Sequence, residues 1–354
     1  MDRGARCAPI HRRHRSTAGT DPPPASPLPL TTIDNGTQML RFILRRLLSL
    51  IPVLFVVSVV IFSLIHLTPG DPARRILGEK ASDDQVAALH ATMGLDQPIV
   101  MQYLKWVGGV FTGDLGDSYF LRKSVVAAIS DNAVPTIQLA LIAIIVAVLL
   151  SVPFGTIAAK FRGGSFDRVV TGFTLLGMTV PSFVLAIGMM LLFGLTLRWL
   201  PISGYVNPFE HFGDGIKTLL MPGIALGAIT AALITRTTRA AVLDVLGADY
   251  IDAARSRGVA ERRLLFSHTL KNASLPILTI IGLSLGGLVT GAAVTETIFN
   301  IPGLGQLLVT SISRRDYPVI QGVILFITLI YLLTNLLIDL LYGIVDPRVR
   351  VGKA

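Results

Sequence analysis

Cysteine is nearly absent: Cys7 is the single one in 354 residues. That excludes an internal disulfide framework and a cysteine-based zinc site. Charge is scarce too. Asp, Glu, Lys and Arg make up 15% of the chain, where a soluble domain carries about 25%, which argues against an ordinary soluble enzyme. No Gly-x-x-x-x-Gly-Lys-Ser/Thr loop occurs, so the chain has no phosphate cradle with which to hydrolyse ATP itself. No His, Cys, Asp and Glu cluster has metal-ligand spacing. The expectation is therefore no catalytic residues, no metal site and no cofactor held by this chain.

What is abundant is apolar. Hydrophobic residues reach 52%, far too many for disorder over most of the chain. Six stretches free of Asp, Glu, Lys and Arg are long enough to cross a bilayer: Leu47 to Leu67, Asn132 to Ala159, Val169 to Leu197, Thr218 to Thr235, Asn272 to Thr295 and Tyr317 to Ile338. A span needs about 20 apolar residues because a helix rises about 1.5 Å per residue across a core of about 30 Å. One such helix fits a soluble core; six do not. The fold class expected is all-α and polytopic, with six transmembrane helices in a lipid bilayer.

The net charge of +9 would suit nucleic acid or an anionic surface, and the positions of the basic residues decide. Arg41, Arg45 and Arg46 precede the first stretch. Lys160, Arg162 and Arg168 lie between the second and third. Arg236, Arg239, Arg255, Arg257, Arg262, Arg263 and Lys271 lie between the fourth and fifth, and Arg348, Arg350 and Lys353 follow the sixth. Lys and Arg collect on the cytoplasmic side, so both termini are expected there. The positive excess reads as topology, not as a nucleic-acid footprint. The first stretch is too long for a signal-peptide core of 7–15 residues.

Four regions follow. Residues 1–38 are rich in Pro and Arg without apolar periodicity, as expected of a disordered tail; alternatively the chain starts at Met39. Residues 39–131 hold the first span and an outer subdomain of short helices. Ser82 with Gln85 predicts a capping box for a helix from about Asp83 to Thr92, stopped by Gly94, and Asp96 is expected to cap a second helix from near Pro98. Residues 132–343 form the core of spans, and 344–354 a cytoplasmic tail. Pro181-Ser182 near the middle of the third span predicts a kink and marks both residues as pathway candidates.

Between the fourth and fifth spans lies Ala248-Asp249-Tyr250-Ile251-Asp252-Ala253-Ala254-Arg255-Ser256-Arg257-Gly258. Acids in front and arginines behind suit a helix dipole, and the glycine supplies the stop. A second helical stretch is expected from Ala260 to Asn272. A solvated connector and a docking surface are both open on these grounds.

This loop resembles the EAA loop of ABC-transporter permeases, in which Glu-Ala-Ala is followed by three residues and Gly. Here Asp252-Ala253-Ala254 and Gly258 keep that spacing, with Asp in place of Glu, and Pro276 falls later than in the generic loop. Ordered matches to the dipeptide, oligopeptide, glutathione and nickel permeases run along about residues 39–350. They are Arg45 to Asp71-Pro72, Gly113-Asp114-Leu115-Gly116, Leu200-Pro201-Ile202-Ser203-Gly204-Tyr205, Ile298 to Gly305, Arg315 to Ile320 and Asp346-Pro347-Arg348. The resemblance implies a type I importer permease of the bacterial inner membrane, with its coupling loop at residues 244–272. Asp252, Ala253, Ala254, Arg255, Arg257 and Gly258 would enter a cleft of a cytoplasmic ATPase subunit. That subunit would carry ATP and Mg. The alanines would allow close packing, and the charges would pair across the interface. A second homologous permease and an extracytoplasmic solute-binding protein would complete the system, whose cargo would be a peptide or similar small solute.

Two rival readings remain. A stand-alone secondary transporter or channel needs ionisable groups at mid-depth, and the spans offer little beyond Ser, Thr and Asn335. Glu296 and Asp339 stand at span edges, where both are expected to reach interfacial water. A hydrolase could use Gly282-Leu283-Ser284-Leu285-Gly286, a Gly-x-Ser-x-Gly pattern. Inside an apolar span, Gly282 with Gly286 and Gly287 with Gly291 instead fit helix packing through small residues.

Overall fold

The computed structural model describes residues 35–67, 71–78 and 81–345. The expected tail before residue 35, the Thr68-Pro69-Gly70 step and the basic residues Arg348, Arg350 and Lys353 lie outside them. Among the described residues every extended element is helical; the one isolated bridge pairs Asp117 with Ser124.

Helix α1 (Asn35–Leu67) carries the first apolar stretch. It starts ahead of Met39, so the boundary expected after residue 38 falls inside a helix. Three short helices follow: α2 (Pro72–Leu77), α3 (Asp83–Met93) and α4 (Ile99–Thr112). The capping box at α3 is present, with Gln85 N–H donating to Ser82 Oγ at 3.3 Å and Ser82 N–H to Gln85 Oε1 at 3.1 Å. Gly94 closes α3 in the left-handed region. Asp96 does not cap α4. Pro98 occupies that position without a side-chain cap, and Asp96 instead lies 3.8 Å from His90 Nδ1.

Helix α5 (Val125–Lys160) begins at the N-cap Ser124. The third stretch is not one kinked span. Helix α6 (Ser165–Thr179) and helix α7 (Ser182–Met189), prolonged by a π-helical segment over Met190–Thr196, meet at an angle of 105°. Pro181 removes the amide donor that would continue α6, and the chain turns there instead of bending gently. Helix α8 (Phe212–Leu246) leads to α9 (Asp249–Ser256) and the single turn α10 (Glu261–Arg263). A π-helical segment over Leu264–Thr269 then runs straight into α11 (Leu270–Phe299). The helix expected from Ala260 to Asn272 is therefore the start of the fifth span, not a separate element. Helices α12 (Leu304–Arg314) and α13 (Tyr317–Val345) complete the chain. Among the described residues five helices are long and apolar enough to cross a membrane, six where the bent α6–α7 pair counts as one span.

The core sits between α5, α7, α8 and α11, around Leu139, Ala143, Met189, Leu219, Leu226, Leu288 and Phe299. Helices α5 and α8 pack by close backbone approach. A Cβ on Gly227 would meet the Ala143 carbonyl at 2.7 Å, and one on Gly155 the Thr235 carbonyl at 2.7 Å. Ser151 Oγ bridges the same pair, donating to the Ala231 carbonyl at 2.7 Å. Lipid supplies little hydrophobic drive between helices, so close packing and interhelical hydrogen bonds hold them together. Arg46 pairs with Asp339 at 2.8 Å and ties α1 to α13. The bundle thus has two ends, one carrying α9 and the other α12.

Candidate functional site

At the α9 end, Asp249 and Asp252 occupy the first turn of α9 and Arg255 the last, each favourable to the helix dipole. Ile251, Ala254 and Leu264 are buried together, with Val245, Leu246 and Val259 against them. Asn272 Nδ2 donates to Tyr250 Oη at 2.9 Å. These contacts brace α9 between the end of α8 and the start of α11. Of the expected coupling residues, Asp252, Ala253, Arg255, Arg257 and Gly258 are exposed. Ala254 is not: it is 6% exposed and packs on its own chain, which leaves Ala253 as the surface member of the two alanines. Several polar groups already have partners here. Arg255 donates through Nη1 to Asp252 and through Nε to Glu261, each at 2.8 Å, and Arg257 Nε donates to the Ala253 carbonyl at 3.2 Å. Nothing local in the sequence marks Glu261, because its partner lies across the Gly258 turn. Gly258 has φ +78°, a region that L side chains rarely occupy.

Deeper on the same side, Asp167 takes Arg239 as a bidentate partner, at 2.6 Å from Nε and 2.9 Å from Nη2. Asp167 also accepts the Gly163 N–H at 2.9 Å. The pair clamps the start of α6 to α8. Nothing in the sequence points to this pair beyond two charges close to spans. Between α5, α6 and α8 runs an apolar groove of about 410 Å³, lined by residues that include Leu150, Phe154, Phe173, Ala228 and Thr235. The pathway candidates do not line it. Pro181 is exposed at the α6–α7 bend, and Ser182 is half-buried as the first residue of α7.

At the α12 end, Glu296 corrects an expectation. It is fully buried, 0% exposed, and does not reach interfacial water. Its carboxylate accepts from Thr136 Oγ1 at 2.6 Å and from the Gln306 N–H at 2.9 Å. Thr136 Oγ1 in turn accepts the Leu304 N–H at 2.7 Å. Two residues from other helices thus satisfy amides at the start of α12, which its own N-cap, Gly303, cannot do with a side chain. Asp339, the other edge acid, is half-buried and paired with Arg46 as described.

Residues 151–351 match the model of the family described as binding-protein-dependent transport system inner membrane component, and residues 39–140 match that of its N-terminal region. The chain belongs to this family. It is 40% identical over 309 residues to a probable peptide ABC transporter permease protein of Sinorhizobium fredii, covering 87% of this chain and 99% of that one. It is 40% identical over 341 residues to the dipeptide transport system permease protein of Escherichia coli, covering 89% and 100%. It is 39% identical over 312 residues to the glutathione transport system permease protein of Salmonella choleraesuis, covering 88% and 99%. A crystal structure of an amino acid ABC transporter with histidines aligns with TM-score 0.44 at 17% identity, over 61% of this chain and 92% of that one.

In this chain the Gly-x-Ser-x-Gly stretch packs one helix on another. A Cβ on Gly282 would meet Ile338 Cγ1 at 2.7 Å and one on Gly286 would meet Tyr331 Cδ2 at 2.5 Å, so both glycines let α13 approach α11. Gly287 has nothing within 4 Å and does not share that role. Ser284 Oγ donates to the Ile280 carbonyl of its own helix at 2.7 Å. That bond is an ordinary one for a serine inside a membrane helix.

Proposed function

We propose that this chain forms one membrane-spanning half of an ATP-driven importer for peptides or similarly sized small solutes. A second, homologous permease supplies the other half of the pathway. A solute-binding protein delivers cargo at the α12 end, and separate ATPase subunits, carrying ATP and Mg, act at the α9 end. The α9 end and both termini face the cytoplasm in this reading. The basic residues Lys160, Arg162, Arg168, Arg236 and Arg239 at the α9 ends of the spans support that orientation.

The observation that carries the reading is the placement of α9. It presents Asp252, Ala253, Arg255 and Arg257 to solvent while Ile251 and Ala254 anchor it to α8 and α11. A push on its exposed face therefore acts on two of the four helices that form the core. The named relatives, which carry peptides, dipeptides or glutathione, support the cargo class.

The test is purification from the host in mild detergent, followed by reconstitution. Recovery of a second permease and ATPase subunits, with uptake that requires ATP and a binding protein, is the expected result. Solute flux through this chain alone in liposomes lacking ATP would overturn the proposal in favour of a stand-alone transporter.

A further inference from the structure

Helix α4 does not have the surface of a helix standing in water. Of its fourteen residues Lys105 alone is charged. Val100, Leu104 and Phe111 are 66%, 57% and 87% exposed, and Ile99 and Met101 are exposed beside them. No residue of α4 is fully buried in the protein. A soluble subdomain seldom leaves so contiguous an apolar surface uncovered.

Its contact with α1 fixes its depth. Tyr103 Oη and Ser58 Oγ of α1 share a hydrogen bond of 2.8 Å. The Phe62 ring of α1 lies 5.3 Å from the Tyr103 ring and 5.9 Å from the Trp106 ring, centroid to centroid. The uncharged stretch of α1, Leu47 to Leu67, has a length of about 31 Å at about 1.5 Å per residue, which matches a hydrocarbon core of about 30 Å. The core must therefore cover nearly all of it, and Leu67 marks its edge at the α12 end. Ser58 and Phe62 precede Leu67 by nine and five residues. They lie about 13 Å and about 7 Å inside that edge. A helix that touches both residues is at membrane depth, not above it.

We infer that α4 is embedded in the leaflet on the α12 side, with its free apolar face against lipid acyl chains. Fourteen residues are too few to span the membrane but enough for a re-entrant or interfacial segment. Tyr103 and Trp106 are amphipathic aromatics of the kind that settle near headgroups. Exposed Lys105 has the reach to extend its ammonium to the phosphates while its stem stays apolar. Lipid is the occupant because the surface is continuous. Helix α1, on which α4 leans, exposes Phe55, Val56 and Val60 outward, and these belong to a membrane span. The short helices after the first span are therefore not one uniform outer subdomain. Helix α3, with its acidic first turn of Asp83 and Asp84, belongs to water, and α4 belongs to lipid. This inference rests on the chain crossing the membrane and not on what it transports.

The lone Cys7 makes the test direct. In a Cys7→Ser background, single cysteines replace Val100, Leu104 or Phe111, with Asp84→Cys as the water control and Val56→Cys as the lipid control. Each is labelled with bimane in the assembled complex in phosphatidylcholine–phosphatidylglycerol liposomes. Quenching by acyl-chain spin-labelled lipid is compared with quenching by iodide. The three α4 positions should follow Val56, with a ratio of lipid to iodide quenching several-fold above that of Asp84. Iodide quenching equal to that at Asp84 would place α4 in water and overturn the inference. Shielding from both quenchers, with crosslinks to another subunit, would show protein over α4 and overturn it equally. The unmodified chain gives a second readout: an acyl-chain diazirine lipid should photolabel peptides covering residues 99–112 and spare those covering 83–93.

Discussion

Gly258 carries the sharpest test of the coupling loop. Its φ is +78°, and a Cβ added there meets no heavy atom within 4 Å. A substitution therefore acts through backbone conformation, not through a clash. For an L residue the left-handed region costs about 1–2 kcal/mol. A β-branched residue stands at the high end or beyond, whereas Asn tolerates the region best. One to two kcal/mol is a factor of about 5–30 in the population of the turn. Gly258→Val should lower the solute imported per ATP hydrolysed by at least about fivefold. Gly258→Ala should fall in between, and Gly258→Asn should stay close to the parent. The amount of protein in the membrane should not change, since Ile251, Ala254 and Leu264 still hold α9 in place. The assay is paired uptake and phosphate release in proteoliposomes with the ATPase subunits and binding protein. Normal coupling in Gly258→Val would refute the assignment of this turn to coupling. Equal failure of Asn and Val would refute the conformational argument, because it would mean that any side chain at this exposed point blocks the partner.

Glu296→Ala should release the start of α12. It strands the Gln306 amide and removes an acceptor from Thr136, at about 1–3 kcal/mol for each buried group left unpaired; faster hydrogen exchange over residues 304–314 is the measurement. Arg239→Ala leaves Asp167, whose side chain is 7% exposed, without its cation. A loss of about 3 kcal/mol should appear as a lower unfolding temperature, and the double variant Arg239→Ala with Asp167→Ala should recover part of it. Burial pushes the pKa of Asp71 up, but hydrogen bonds from His90 and the Ala73 N–H outweigh it and hold the carboxyl below its usual value. A depressed carboxyl stabilises the fold above its unfolded value of 3.8 and loses that effect as pH falls through the lower folded value. Exchange over residues 83–93 should therefore accelerate only in strong acid, and His90→Ala should move the onset to higher pH.

What was legible in the sequence was local or periodic. The Ser82–Gln85 box closes within three residues, so both halves of the device are visible together. The apolar spans are legible because the bilayer fixes their length. The angle at Pro181 was not. A proline announces a missing donor, but whether the chain bends slightly or turns by 105° depends on the helices that receive α7. The burial of Glu296 is hidden from the sequence for a related reason. Depth along a span says nothing about which face a side chain takes, and Glu296 is buried by Thr136, which lies 160 positions away. Asp167 and Arg239 are 72 positions apart. Pairs of this kind leave no periodic trace in a single sequence. The helix over residues 249–256 is legible in the sequence, but the division of its residues between surface and core is not. The 3.6-residue period puts Ile251 and Ala254 on one face, and only the packing decides which face is covered.

Four of the scattered matches that carry the family resemblance meet in pairs at the α12 end. Leu115 packs beside Val319 and Val323, and Ser118 Oγ donates to the Asp316 carboxylate, so the Gly113–Gly116 segment meets the Arg315–Ile320 segment. The Gly204 N–H donates to the Phe299 carbonyl at 2.8 Å, so the Leu200–Tyr205 segment meets Ile298–Gly305. Glu296 and Thr136 then join that last segment to α5. Non-helical connections and helix starts are thereby fastened in two pairs by polar bonds. Irregular backbone near a membrane needs such partners, because unpaired amides and carbonyls there cost several kcal/mol each. The demand explains why Ser118, Thr136, Glu296 and Asp316 are polar where their surroundings are apolar. It also separates the two ends of the bundle. The α12 end is tied down through its connections, whereas the α9 end offers an exposed face on a helix anchored by apolar contacts.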